Sequence, residues 1–278
     1  MLISLLVSLP LAAPAQLPAQ LPAQRPAQLL AIAPPPPAGI ALPVSQDNRR
    51  EKLEAAVDAL QESLRSKDTA DSLAAIRSSL AMPSKEIAEV LARRGLAHSA
   101  DEVRAASAEA LGTLALEPGR KALESALKRD RKLREKPELM VVFLRSLARH
   151  QSDSSVPVLA ELSRSGSERS IVSARILCLG YIRSPKSAEA LFQSMKKAGP
   201  EEIQRHMADY RLSLMMLLGV DRGLSQPEWM EWWNDNRREL KVLERAPRLP
   251  DAERERWRRF WGLEPEYPRP EKRRERGK

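Results

Sequence analysis

From residue 49 onward, apolar side chains recur at helical spacing, and the pattern breaks about every fifteen residues at a short polar turn. A run of amphipathic helices is predicted. Setting the segments in register exposes a repeat: EVRAASAEALGTL at 102–114 lies over SIVSARILCLGYI at 170–182, placing Val103, Ala106, Ala110, Leu111, Gly112 and Leu114 on Ile171, Ala174, Cys178, Leu179, Gly180 and Ile182. Between them, ELMVVFLRSLARH at 138–150 puts Leu139, Val142, Ser146, Leu147 and Ala148 on the same columns. The step to the next helix is constant, since Gly112 to Leu123, Ala148 to Leu159 and Gly180 to Leu191 each span 11 residues. Weaker copies end near Ala81 and Gly219, giving units of 31, 36, 32 and 39 residues.

Each unit reads as a helical hairpin, and hairpins of this length stack because none can bury its apolar face alone. A small residue in the LG or LA pair lets neighbouring helices approach closely. Turn signals fall between the units: Ser99 and Asp101 precede EVRAASAEAL, Pro118 precedes GRKALESAL, and Ser184-Pro185 precede KSAEALFQSM. Apolar content is dominated by Ala and Leu, with few β-branched runs, so an all-α fold with no sheet is expected. The repeat core is assigned to Val103, Ala106, Ala110, Leu111, Gly112, Leu123, Leu147, Leu159, Leu179, Gly180 and Leu191.

DEVRAASAEALG at 101–112, followed by a turn and an AL-containing helix, resembles the second helix of a HEAT repeat. Val103, Arg104, Ala106, Ala110, Leu111 and Gly112 carry the match, which extends over roughly 49–220; Val172 stands where the motif has the arginine of position 104. The resemblance implies a right-handed α-solenoid of about five hairpins whose inner surface binds other macromolecules. Some HEAT-like solenoids are alkylpurine DNA glycosylases or phycobilin lyases, and a nucleic-acid-binding or base-excising protein is the alternative reading.

Eleven residues beyond Gly219 stands Met230, inside the cluster WMEWWNDN at 229–236. The cluster therefore occupies the first-helix slot of a sixth, incomplete unit. Ser225 and Glu228 are placed as a capping box, and Leu224 and Trp229 as a hydrophobic staple. Trp229, Trp232, Trp233, Asn236 and Leu240 share one broad face. Each Trp buries about 150–250 Å², so three left exposed would exceed the patch an ordinary soluble monomer shows. At least two are expected in the core as a structural cap, each contributing roughly 4–6 kcal/mol by area, an upper bound. The capped pattern resembles the end of many secreted bacterial HEAT-repeat proteins.

The flanks differ from this body. MLISLLVSLPLAAPA at 1–15 reads as a secretory signal ending in a small-residue cleavage pattern, too short to span a membrane. A Pro/Ala/Gln-rich linker follows over 16–48, built on PAQL repeats and PPPP. The repeat domain with its cap is placed at 49–240, a further helix at 241–263 packing on the solenoid end, and a basic tail at 264–278. Of the formal net charge of +9, residues 241–278 hold +5 (13 basic, 8 acidic), whereas 49–240 carry 32 basic against 28 acidic residues. The tail is a candidate for weak contact with an anionic polymer or surface.

Candidate chemistry is sparse. The lone Cys178 sits in an apolar run and reads as core. The three histidines, His98, His150 and His206, match no metal-ligand spacing. Glycine-rich phosphate loops and nucleophile elbows are missing from the sequence. The expectation is a non-enzymatic, exported, monomeric scaffold of the periplasm or cell envelope. It binds a protein partner and needs no cofactor, metal, small-molecule substrate or transmembrane span.

Overall fold

The computed structural model describes residues 46–161 and 168–263. The expected signal, the linker as far as residue 45 and the basic tail lie outside the described residues. Within them the protein is wholly helical, with thirteen α-helices and no strand. One layer holds α1 (Gln46–Ser63), α3 (Lys85–Val90, continued by a π-helical turn Leu91–Gly95), α5 (Glu117–Arg129), α8 (Val156–Ala160), α10 (Pro185–Lys197) and α12 (Gln226–Asn236). The other holds α2 (Thr69–Ser79), α4 (Asp101–Leu114), α7 (Pro137–Arg149), α9 (Arg169–Tyr181) and α11 (Pro200–Leu218), with the short α6 (Arg131–Arg134) between α5 and α7. Each helix packs on the next in its own layer and on its partner in the hairpin. The result is a solenoid-type stack of five hairpins with α12 placed as the start of a sixth. The helix at the N-terminal end begins at Gln46, so the last residues of the expected linker already belong to α1.

Local chemistry starts and stops these helices. The Ser184 hydroxyl accepts the Lys186 N–H at the start of α10, where Pro185 fills the first position; Asp68 and Ser84 cap α2 and α3 in the same way. Gly219 (φ 72°) ends α11 in the left-handed region, its N–H bonded to the Met215 carbonyl. The expected signal at Ser99 and Asp101 works differently: Ala100 is the N-cap, without a side-chain cap bond, and Asp101 opens α4 while its carboxylate pairs with Lys136 at 2.5 Å.

The small-residue column has a mechanical basis. A Cβ added to Gly112 would lie 2.8 Å from the Ser146 carbonyl oxygen, and one added to Gly180 would lie 2.6 Å from the Ser213 Cβ. Each glycine therefore sits where a helix of the second layer presses on the backbone of the next. Val103, Ala110, Leu111, Leu123, Leu147, Leu159, Leu179 and Leu191 are buried in one continuous core. Ala106 is only half-buried, because α4 turns it toward a cleft instead.

Two arginines are also buried. Arg104 on α4 donates from Nε to the Leu96 carbonyl (3.0 Å), pairs with Asp130 at 2.6 Å and lies over the Phe143 ring. Arg175 on α9 donates to the Val158 carbonyl at 2.7 Å. Both guanidiniums satisfy carbonyls at the end of the first helix of their own hairpin, groups a helix terminus leaves unpaired. Burial pulls Arg175 below the ordinary arginine range.

The last helix departs from expectation. α13 (Asp251–Trp261) does not cap the end of the stack; it runs along the side, crossing three helices of the second layer. Glu253 pairs with Arg211 of α11, Trp257 stacks on Tyr181 at the end of α9, and the Phe260 carbonyl accepts from Arg145 of α7 at 2.9 Å. Between α12 and α13 the chain is held down by the Leu243 N–H, which donates to the Leu217 carbonyl (2.8 Å), and by Arg183, which donates to the Leu243 carbonyl (3.0 Å). That strap fixes where α13 can land. An amphipathic pattern specifies that a face is buried, but not against which surface.

Candidate functional site

Two aromatic clusters and a cleft beside the second of them are places where this stack could act. The first cluster is the tryptophan group of α12. Phe192 of α10 projects among the three rings, with centroid distances of 4.5 Å to Trp233, 6.0 Å to Trp232 and 6.4 Å to Trp229. Trp229 is fully buried and Trp233 nearly so, while Trp232 is half-buried. The Trp229 indole N–H donates to the Gly223 carbonyl at 3.0 Å, which removes the unmet donor that burial would otherwise leave. These rings close the first layer.

The expected start of α12 is corrected in two respects. Ser225 stands at the N-cap, but its hydroxyl makes no cap bond, and Glu228 is exposed. Leu224 is 62% exposed, so it staples nothing. The cause lies in the preceding turn. Gly223 adopts φ 67° and its N–H donates to Asp221 Oδ1 at 2.9 Å, which turns Leu224 outward and draws the indole of Trp229 back onto the Gly223 carbonyl. The helix start is anchored from outside instead, by Gln226 donating to the Met195 carbonyl at 2.8 Å.

The second cluster is α13 on its seat. Trp261 lies 4.2 Å from Tyr181 between ring centroids, Trp257 lies 5.7 Å from Trp261, and both tryptophans are buried. Charge frames this contact. Arg211 holds Asp221 at 2.5 Å and Glu253 at 2.6 Å, and its charged form is favoured by the two carboxylates. Arg256 reaches Asp209, a carboxylate buried in α11, at 2.5 Å.

Asp209 belongs to a polar cluster that the sequence did not single out. Ser173 Oγ donates to Asp209 Oδ2 (2.8 Å) and lies 3.2 Å from His206 Nδ1, which is itself 3.6 Å from Asp209. Serine and carboxylate meet the same ring nitrogen, so the imidazole cannot pass a proton between them through opposite nitrogens, as a nucleophilic triad requires. The arrangement can pin α13 through Arg256. His206 and Asp209 stand at i and i+3 of α11, a spacing that would have paired them, but Ser173 is 33 residues from His206 and only the fold supplies it.

Beyond the C-terminus of α13 the same layer forms a cleft of ≈ 450 Å³. Ile76 of α2, Leu80 just past its end, and Ala106 and Ala110 of α4 line it, with Arg77, Arg145, Arg149 and Glu109 as its charged groups. Cys178 is fully buried in α9 and its thiol is pushed up by desolvation, which suits a packing role. Among the described residues no group of three or more His, Cys, Asp or Glu side chains could hold a metal ion, and no helix is long and apolar enough to cross a membrane. No protein-family model matches the chain, and no curated protein sequence matches it.

Proposed function

We propose that this protein is a non-enzymatic scaffold, a HEAT-like solenoid of right-handed twist that binds a protein partner on the helical layer α2, α4, α7, α9 and α11. One observation carries the reading: that layer already receives a helix, α13, through two buried tryptophans, two ion pairs and a main-chain carbonyl. A surface able to seat one amphipathic helix is built to seat helical segments generally. The apolar start and the proline-rich stretch at 16–48 support export to the periplasm or cell envelope, with the linker giving reach. The basic residues at 264–278 would add weak contact with an anionic polymer or surface.

The test is affinity capture with the tagged full chain from an envelope extract. A protein retained at roughly 0.3 M salt, where the Debye length is about 5–6 Å, is the expected result, since attraction between exposed charges alone is then largely screened. Recovery of nucleic acid alone would favour the base-excision or nucleic-acid alternative. N-terminal sequencing of the mature protein tests export, and an intact Met1 in a cytosolic fraction would sink it.

A further inference from the structure

We infer that the cleft ahead of the α13 C-terminus takes an acidic, apolar-anchored segment of a protein partner, docked end to end with α13 on the same helical layer. The inference rests on the scaffold reading above and names a part of the layer that the described residues leave uncovered, with what fits it.

Continuity is the first argument. α13 occupies the layer from α11 to α7 and stops at Gly262 (φ 66°), with the Leu263 N–H closing onto the Arg258 carbonyl. Trp261 and Gly262 form one wall of the cleft, so the apolar surface that receives α13 continues past it onto α4 and α2. Leu80 and Ala106 are half-buried there and Ile76 and Ala110 lie buried beneath, and the volume suits one or two large apolar side chains.

Charge supplies the second argument. Of the three guanidiniums, Arg145 is occupied by the Phe260 carbonyl and lies 3.6 Å from Glu109. The guanidiniums of Arg77 and Arg149 make no hydrogen bond or ion pair with a described residue. Trp261 carries a buried indole N–H with no acceptor among the described residues. Among the described residues the polar groups around the cleft that lack a partner are therefore donors, two of them cationic, while the one carboxylate in its lining, Glu109, faces Arg145. Guanidinium forks match carboxylates in a bidentate way. A nucleic-acid backbone would meet the arginines but leave the aliphatic floor uncovered, and the body at 49–240 is nearly charge-balanced. A peptide with Leu, Ile or Phe flanked by Asp or Glu satisfies both.

The test pans a random twelve-residue peptide display library, roughly the length of one short helix, on the full chain. Selected sequences are expected to place Asp or Glu beside a large apolar residue. A fluorescein-labelled peptide from that set should bind about tenfold more weakly to the Arg77→Glu/Arg149→Glu variant, and its Glu→Lys counterpart should regain binding to that variant. Thr113→Trp, which fills the cleft from an exposed position of α4, should abolish binding without changing charge. The double variant should melt as the parent does, because neither guanidinium hydrogen-bonds or ion-pairs with a described residue. Peptides without acidic enrichment, peptides indifferent to both variants, or displacement by a single-stranded oligonucleotide with the same sensitivity would each overturn the inference. A partner captured from the extract by the double variant as well as by the parent sinks this cleft and leaves the scaffold reading standing; no capture by either sinks that reading separately.

Discussion

The aromatic clusters of α12 and α13 look alike in sequence, each setting tryptophans one helical turn apart, yet they are built to different ends. In α12 the rings of Trp229 and Trp233 close over Phe192 of the preceding helix in the same layer, and the fixing bonds are the neutral ones from Trp229 to Gly223 and from Gln226 to Met195. In α13 the rings of Trp257 and Trp261 meet a single Tyr181, and the framing contacts are charged, from Arg211, Arg256 and Arg145. A neutral aromatic core continues the stack and is difficult to open in part. A charged collar around two rings is a docked element, whose release exposes a surface without dismantling the hairpins. The comparison predicts that lesions in α12 act on global stability and lesions in the α13 seat act on docking.

The largest effect should come from Trp229→Ala. It leaves a large void in the first layer beside Phe192 and is expected to cost about 3–5 kcal/mol, read from urea unfolding followed by circular dichroism. If melting hardly changed, the cluster would be a surface platform and not part of the core.

Next in size is Gly180→Ala, at about 1–3 kcal/mol, since the new methyl group meets Ser213 at 2.6 Å and α9 must move away from α11. This change sharpens the contrast. Gly180 adjoins Tyr181, the ring on which α13 rests, so amide exchange should accelerate in α13 by more than in α12. Equal acceleration in both helices would contradict it.

Asp209→Asn comes third. It removes the buried charge that Arg256 reaches while keeping most of the shape, and is expected to weaken α13 docking by about 1–2 kcal/mol. Faster exchange confined to α13 and the strap before it is the readout, with amide exchange in α12 unchanged. The docking loss should grow when salt is lowered in the parent comparison, because screening already weakens the intact pair at high salt.

Which parts of this contrast were legible beforehand follows from the range of the signals involved. The stack was, because glycine at 112 and 180 marks a backbone contact that recurs at fixed offsets, and a short-period pattern records such contacts directly. The burial of Trp229 was too, from register and area together. The landing place of α13 was not, since Glu253 meets Arg211 from 42 residues away through a strap whose path no periodicity encodes. Arg175 escaped for a smaller reason: it stands 5 residues before Gly180, whereas Arg104 stands 8 before Gly112, about one helical turn further. A strict column comparison treats these as different positions, although both reach the end of the preceding helix. The staple at Leu224 failed because the left-handed turn at Gly223 overrode a local motif.

The smallest predicted effect tests the one side chain that joins the two regions. Arg211 holds Asp221, in the loop leading to α12, and Glu253, in the first turn of α13. The hydrogen bond from Arg211 holds the Asp221 carboxyl below the ordinary aspartate value, with a further bond from the Gly223 N–H. A carboxyl depressed in the folded state binds its proton more readily when unfolded, so its contribution is present above about pH 4, the unfolded aspartate range, and is lost as pH falls through the folded value. The pair is partly exposed, which limits the loss to a few tenths of a kcal/mol, about the size of a surface ion pair. Asp221→Asn should therefore flatten the acid limb of the stability curve slightly. It should also loosen the Gly223 turn before α12 while leaving α13 seated through Glu253 and Asp209. Equal loosening of both helices in hydrogen exchange would mean that Arg211 couples them into one unit, and that the division between a core cluster and a docked one is wrong.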